Sequence, residues 1–452
     1  QTGGYVVLEG EDGDRRLGQL LTMRVESELA PDLGLEGLNT SMLMRFARGD
    51  GVILDGDLRP FHDAMARPAE PGEVSAWLER VGPSRSRLEI GELLLAPGVA
   101  AALDSGGFNR HTFMCGQSGS GKTYSLGLVL ERLLLGTSLR MVILDPNSDY
   151  VRLSEVLESA DPAIAAKYAA AASGVSVWQN DPGATQRLQL QFLDLDPAAQ
   201  AAVFGLDPIR DREEYAALSG ILAASEKGRS VISGPDALLS SENPDTRRLG
   251  LRAANLGVLN WAIWSRGRGR SLVDELEEPT SRCLVVDLGS LDTIHEQRLI
   301  SETVLSTLWR NRSRRQPCLI VIDEAHNVCP RQPEDTVTAL ATNYASLIAA
   351  EGRKFGLYLL TSTQRPQKVH DEVLSQCDNL LLMRMNSEAD LGHLSDAFSF
   401  VPDGLIQRAT TFRQGESLVA GKVVSHPMYV RFGRRLSQEG GADIPTSWAA
   451  AQ

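Results

Sequence analysis

Apolar and polar positions fall into three regimes along the chain. From residue 1 to about 100, short apolar or alternating runs (Tyr5–Leu8, Leu17–Val25, Met42–Phe46, Val52–Leu54 and Leu88–Leu95) are separated by Gly, Pro and Asp. Pro68–Gly72 and Gly82–Pro83 read as loop punctuation. Short strands at such spacing predict a small β-barrel. At 101–150 the rhythm changes. His111–Cys115 is a short apolar strand, Gly116–Gly121 a Gly/Ser-rich turn, and Thr123–Leu135 a helix with Leu126, Val129, Leu130, Leu133 and Leu134 on one face. Leu139–Asp145 is a mostly apolar strand of the kind a buried parallel sheet needs.

Residues 151–278 are rich in Ala and Leu and poor in strand-like runs, which predicts a mainly helical insertion with one short strand at Leu188–Phe192. Alternation resumes over 279–436. The expected elements are strand Cys283–Leu288, helix Glu296–Arg310, strand Cys318–Asp323, helix Thr336–Glu351 and strands Leu357–Ser362 and Leu380–Arg384. Strands alternating with helices predict an α/β core, a parallel sheet with helices on both faces. Ser417–Ala420 and Met428–Phe432 are expected to finish that sheet, and 437–452 reads as a C-terminal tail.

The chain has 452 residues, more than one compact core usually holds, so two or three domains are expected. No apolar run approaches the roughly 18–20 residues that span a bilayer. No charged stretch followed by an apolar one opens the chain, so no signal peptide is expected. The five Cys are odd in number and scattered without metal-ligand spacing, which predicts reduced thiols in a cytoplasmic protein. The net charge of −13 argues against a protein basic all over. It leaves room for a lined channel that holds DNA, because local charge decides there. Arg-rich stretches stand at Arg266–Arg270 and Arg310–Arg315; either is equally read as a solvated loop or helix end.

One pattern carries chemistry directly. Residues 116–123 read GQSGSGKT, the G-x-x-x-x-G-K-[ST] spacing of a phosphate-binding loop, with a strand before it and an amphipathic helix after it. Glycines let successive N–H groups converge on the phosphates, and the helix presents its positive end. Gly116, Ser118, Gly119, Ser120, Gly121, Lys122, Thr123 and Tyr124 are therefore the expected ATP contacts. Lys122 would reach the β- and γ-phosphates, and the Thr123 hydroxyl would ligate Mg²⁺. A second acidic element is needed at a neighbouring strand end, and Cys318–Asp323 leads into one. Asp323 would hold Mg²⁺ through its water shell, and Glu324 would polarise the attacking water. The alternative is that these acids cap the following helix. Gln364, just past another strand, would sense the γ-phosphate or orient the water. Asp145 and Asp149 either act near the metal or shape a turn.

Taken in order, these residues resemble the HerA-like branch of the HerA/FtsK superfamily of motor ATPases. The resemblance rests on Asn109–His111, the GQSGSGKT loop, Ile143–Tyr150, Val321–Asn327, Glu351–Gly356, Thr363–Pro366 and Leu374–Cys377, spanning roughly 105 to 435. A weaker likeness extends to the N-terminal strands and to Ile444–Trp448. It implies a RecA-like P-loop ATPase core, an N-terminal β-barrel, a homo-hexameric ring around double-stranded DNA, and ATP sites between subunits. A neighbour's arginine would then reach the γ-phosphate, an effect worth about 10³–10⁵ in rate. Arg353 is the first candidate and Arg110 the second; for each the alternative is a surface ion pair. His326 is read as a coupling or structural residue. Asn147–Asp149 stands where many relatives carry Gly and Glu, which leaves the role of Asp149 open. The resemblance further implies a partner nuclease or sirtuin-like effector, in DNA end processing or anti-phage defence. Two other readings remain open: a ring scaffold that assembles and activates an effector without translocating, and a secretion or conjugation ATPase that would need membrane partners.

Overall fold

The computed structural model describes residues 1–10, 13–29, 43–55, 62–82, 87–158, 161–226, 236–265 and 269–441. Arg266 and Arg268 of the first basic stretch, and Ile444–Trp448, lie outside these residues.

The apolar runs become the middle of one large sheet. Strands β7 (His111–Cys115), β8 (Arg140–Asp145), β10 (Cys283–Asp287), β11 (Cys318–Ile322), β12 (Leu357–Thr363) and β13 (Cys377–Met383) run parallel, in the order β13-β7-β12-β11-β8-β10. They read as continuous apolar runs because both faces are covered. On β11, Ile320 and Ile322 enter the core on one face, and Leu319 and Val321 that on the other; all four are fully buried. The helix Lys122–Gly136 covers one face, with the five residues of its predicted apolar stripe buried. The helices Ile294–Arg310 and Thr336–Glu351 cover the other face.

The sheet continues at both ends. β14 (Glu416–Gly421) and β15 (Met428–Phe432) join it beyond β13, as expected, but they run antiparallel and do not finish it. β5 (Arg87–Leu93) and β6 (Ala100–Asp104) then add to β15. The stretch expected as the last barrel strand, Leu88–Leu95, thus belongs to the large sheet. At the other end stands β9 (Val175–Trp178), parallel to β10. It replaces the strand expected at Leu188–Phe192, where only an isolated bridge from Leu190 to Trp264 forms. The V-S-V-W run is too short to stand out, whereas Leu188, Leu190 and Phe192 are apolar because they fill the core beneath the insertion's helices.

The N-terminal strands β1 (Tyr5–Glu9), β2 (Arg15–Leu29), β3 (Leu43–Ile53) and β4 (Met65–Pro68) form a small antiparallel half-barrel sheet in the order β3-β2-β1-β4. It is tied to the β14–β15 turn, where the Tyr5 hydroxyl meets His426 Nε2 at 2.7 Å in a buried contact. No helix among the described residues is long and apolar enough to cross a membrane.

Candidate active site

Every strand that carries predicted chemistry ends on the same edge of the sheet. β12 lies between β7 and β11, so the residue after β12 falls between the glycine loop and the acidic pair. Strands two apart in a sheet are about 9–10 Å from each other, a gap that one lysine and one glutamine side chain can bridge.

They do bridge it. Lys122 Nζ lies 2.7 Å from Asp323 Oδ1 and 3.1 Å from Glu324 Oε1, and donates to Ser362 Oγ at 3.0 Å. Gln364 Nε2 donates to Glu324 Oε1 at 3.0 Å. The Tyr150 hydroxyl donates to Asp323 Oδ2 at 3.2 Å, and the Glu324 main-chain N–H to Asp323 Oδ1 at 2.9 Å. Burial opposes the charge on Lys122, but the two carboxylates outweigh it and hold its ammonium above the ordinary lysine value. Glu324 Oε2 is buried without a hydrogen-bond partner among the described residues; His326 Nδ1 approaches it at 3.3 Å and meets Thr363 Oγ1 at 3.0 Å.

Two backbone features aim these groups. Gly121 enters the helix at φ 91°, a conformation that L side chains rarely adopt, so the chain turns sharply before Lys122. Glu324 itself sits at φ 45°, a left-handed conformation rare for a residue with a side chain. Strain of this kind persists where the surroundings over-determine it, and it clusters at functional sites. The acids therefore do more than cap a helix: the segment after Glu324 is only the short 3₁₀ turn Ala325–Asn327, and both carboxylates face Lys122.

A cleft of about 1070 Å³ opens over this edge. Ser118, Gly119, Gly121, Lys122, Thr123, Tyr124, Asp149 and Gln364 are among the residues that line it. Ser120 is fully buried, and its main-chain oxygen accepts from Gly415 N at 2.9 Å. Gly116 is buried at the end of β7. No group of three His, Cys, Asp or Glu side chains suited to a metal occurs among the described residues. Thr123 and Asp323 are a hydroxyl and a carboxylate on one edge. That is the donor set a nucleotide-borne Mg²⁺ needs, since phosphates and water supply the rest.

Asp145 turns out to shape its turn. Its two oxygens accept from the Asp149 and Tyr150 main-chain N–H groups at 2.9 and 2.8 Å. Burial pushes its carboxyl up to about 7. Asp149 lines the cleft, with its carboxyl raised to about 6 by burial and then by the charge of Asp323. Arg353 and Arg110 are not in this cleft. They stand at the opposite edge of the sheet, before β12 and β7, where both meet Asp378 Oδ2, at 2.8 and 3.7 Å. Within one chain each is therefore an ion-pair residue.

Sequence reasoning missed three contributors. Tyr150 ends the motif Ile143–Tyr150 and Ser362 ends the expected strand Leu357–Ser362, and nothing local marks a side chain whose partner lies far along the chain. The third is the start of the expected tail. Ser437–Gly441 is packed, not free. Glu131, inside the glycine-loop helix, accepts from Leu436 N, Ser437 N and Ser437 Oγ at 2.7, 2.9 and 2.6 Å and from Arg435 Nε at 3.1 Å. The segment this anchors supplies Glu439, Gly440 and Gly441 to the cleft wall.

Residues 88–244 match the family model described as the central domain of helicase HerA. The DNA double-strand break repair helicase HerA of Pyrococcus furiosus is 23% identical over 420 residues, covering 76% of this chain and 69% of the relative. Its namesake from Sulfolobus acidocaldarius is 21% identical over 486 residues, covering 100% of this chain and 93% of the relative. Among solved structures, VirB4 of Thermoanaerobacter pseudethanolicus superposes with a TM-score of 0.52 at 16% identity, over 78% of this chain and 98% of that one. The bacterial conjugative coupling protein TrwBΔN70 gives 0.52 at 13% identity, over 82% and 93%. These two speak for the fold alone.

Proposed function

Since this chain is a HerA-like ATPase of the HerA/FtsK superfamily with a RecA-like core, we propose that it is a ring motor that uses ATP to translocate or remodel double-stranded DNA. A partner nuclease or effector would act with it, in DNA end processing or anti-phage defence, in the cytoplasm. The observation that carries the reading is the meeting of Lys122, Asp323, Glu324 and Gln364 across three strands, at 2.7 to 3.1 Å.

Each residue has a task in that reading. The glycine-loop N–H groups and Lys122 bind and orient the triphosphate, drawing the ammonium away from the carboxylates. Thr123 and Asp323 would hold Mg²⁺, which when bound neutralises charge on the β- and γ-phosphates. Glu324 Oε2 takes the proton of the attacking water, while Gln364 fixes the other carboxylate oxygen and so its orientation. Arg353, and secondarily Arg110, would act only on the nucleotide of a neighbouring copy, leaving Asp378 when the ring closes. That supports an assembly in which sites lie between subunits, and a hexamer is the size we propose.

The test is ATP turnover by the assembled protein with and without linear duplex DNA, beside the Glu324→Gln variant. Turnover that rises with duplex and vanishes in the variant supports the motor. Turnover indifferent to every DNA, in an intact ring whose partner enzyme still depends on it, would favour the scaffold.

A further inference from the structure

Beside the nucleotide cleft, on the same edge of the sheet, the loops following β11 and β12 are fastened together. Pro330 and Val369 pair antiparallel, Arg331 N donates to Lys368 O at 2.7 Å, and His370 N donates to Cys329 O at 2.9 Å. They enclose a second cleft of about 520 Å³. Apart from Pro330 its lining is polar, and it contains no Phe, Tyr or Trp. Four cations stand there, Arg298, Arg331, Arg365 and Lys368, against one acid, Glu334. Arg298 is matched by Glu334 and Asp335 at 3.0 and 2.6 Å, and Arg331 by Asp371 at 2.9 Å. Arg365 and Lys368 are exposed, and among the described residues neither side chain has an acidic partner. Two uncompensated cations in one polar cleft are notable on a chain of net charge −13.

The cleft also touches the hydrolysis site through one side chain. His326 lines it, and its Nδ1 lies 3.0 Å from Thr363 Oγ1 and 3.3 Å from Glu324 Oε2. The same Thr363 hydroxyl accepts from the main-chain N–H of Arg365 at 3.0 Å. A pull on Arg365 therefore reaches Glu324 through two intervening side chains, Thr363 and His326.

We propose that this cleft seats the phosphodiester backbone of duplex DNA, with Arg365 and Lys368 as its phosphate contacts and His326 as the positioning residue that reports occupancy to Glu324. The proposal rests on the ATPase reading above and names where its DNA acts. Arg, Lys and amide side chains such as Gln332 and Gln367 are the groups that hold phosphates without reading sequence. A single strand would call for a platform of large aromatic side chains; the lining has no Phe, Tyr or Trp, and its one imidazole, His326, is turned to Thr363 and Glu324. An acidic protein segment would bury apolar side chains, for which the lining has only Pro330. By contrast, the basic stretch Arg310–Arg315 is largely committed to structure. Arg312 lies over the Trp309 ring at 4.3 Å, Arg310 donates to Asp194 O, and Arg314 donates to Glu277 O.

The experiment uses the full chain, a fluorescein-labelled linear duplex read by anisotropy over a salt series, the matching single strand, and ATP turnover with and without duplex. Replacing both cations (Arg365→Ala with Lys368→Ala) leaves basal turnover in place and removes the stimulation. It also lowers the slope of log affinity against log salt by about one per charge. His326→Ala keeps duplex affinity but brings the ratio of stimulated to basal turnover close to one. His326→Asn, whose amide can stand where Nδ1 stands, restores part of that ratio. If duplex does not stimulate the parent protein, the DNA reading itself fails. If the parent is stimulated and the double variant keeps its slope and stimulation, this inference alone fails. Loss of basal turnover together with stimulation in the double variant also overturns it, because the cations would then belong to hydrolysis. So does a single strand that binds as tightly as the duplex and weakens equally, or full stimulation in His326→Ala.

Discussion

Tyr150 donates its hydroxyl hydrogen to Asp323 Oδ2 at 3.2 Å, and both side chains are fully buried. Burial, and then the charge of Asp323, hold the phenol well above its ordinary pKa, so it stays a donor at every working pH. The other oxygen of Asp323 is held by Lys122 and by a main-chain N–H. Tyr150 therefore fixes the orientation of a carboxylate proposed to serve Mg²⁺. Removing such a supporting partner typically costs about 10- to 100-fold in metal affinity or activity. Tyr150→Phe is expected to raise the Mg²⁺ concentration for half-maximal turnover by that order, and to cost about 1–3 kcal/mol of stability because a buried carboxylate oxygen loses its donor. A Mg²⁺ titration of turnover beside a denaturant melt checks both. An unchanged titration would show that the phenol merely fills space.

Glu324 offers a separation of strain from chemistry. Its φ of 45° costs about 1–3 kcal/mol for a residue with a side chain, and glycine escapes most of that cost. Glu324→Gly and Glu324→Ala both give up the contacts to Lys122 and Gln364 and lose turnover, but only the glycine relieves the strain, so its unfolding free energy should lie about 1 kcal/mol or more above that of the alanine variant. Glu324→Gln should bind ATP and lose about 10²–10⁴ in kcat, the usual contribution of a general base. Equilibrium unfolding and single-turnover hydrolysis read the two effects. A glycine variant no more stable than the alanine one would mean that the left-handed conformation costs nothing there.

The contrast between these two residues marks what a sequence can disclose. Glu324, Asp323 and Lys122 were legible because the glycine loop and the apolar strand before the acids each have a local pattern with one physical purpose. β11 was legible because burial on both faces leaves no polar position in Cys318–Ile322. Tyr150 was not, since its partner is 173 residues away and a buried tyrosine within a strand-end turn has no pattern of its own. The same holds for Ser362, which meets Lys122 across 240 residues. β9 was missed because a four-residue strand at a sheet edge is too short to set a period. Ser437–Gly441 read as tail because Gly and polar residues look alike whether solvated or clamped.

That clamp is testable. Glu131 and Arg435 are both fully buried side chains and form an ion pair at 3.1 Å. Arg435 in turn requires the glycine at 127, where a Cβ would lie 2.5 Å from its guanidinium carbon. Breaking a buried pair from one side costs about 3–5 kcal/mol, since it strands the other charge. Glu131→Ala is expected to lose stability of that order and, because the anchored segment walls the cleft, to weaken ATP binding as well. Gly127→Ala should do both more mildly. Thermal melts and a fluorescent-nucleotide titration measure them. Nucleotide affinity that stays constant while stability falls would detach the C-terminal segment from the site.

Glu302 makes the fold sensitive to pH. Its side chain is fully buried in the helix Ile294–Arg310, and among the described residues neither carboxylate oxygen has a hydrogen-bond partner. The Ser306 and Thr303 hydroxyls nearby donate instead to the main-chain oxygens of Thr303 and Leu299, at 3.2 and 2.8 Å. Burial, and then the charge of Asp196, push its carboxyl up to about 8 from the ordinary 4.5. Below the unfolded value both states are protonated and the group contributes no pH dependence. Between the two values the folded chain binds the proton more tightly than the unfolded one, so stability falls as pH rises. Above the folded value the full cost of an unpaired buried charge is present. Glu302→Met, apolar and of similar length, removes that cost; replacing buried charge by well-packed apolar groups is often stabilising by about 1–4 kcal/mol. The variant should therefore outlast the parent increasingly from pH 5 to pH 8, with the two converging toward pH 4.5. Denaturant midpoints across that range decide it. A gap independent of pH would mean that packing alone separates the two proteins.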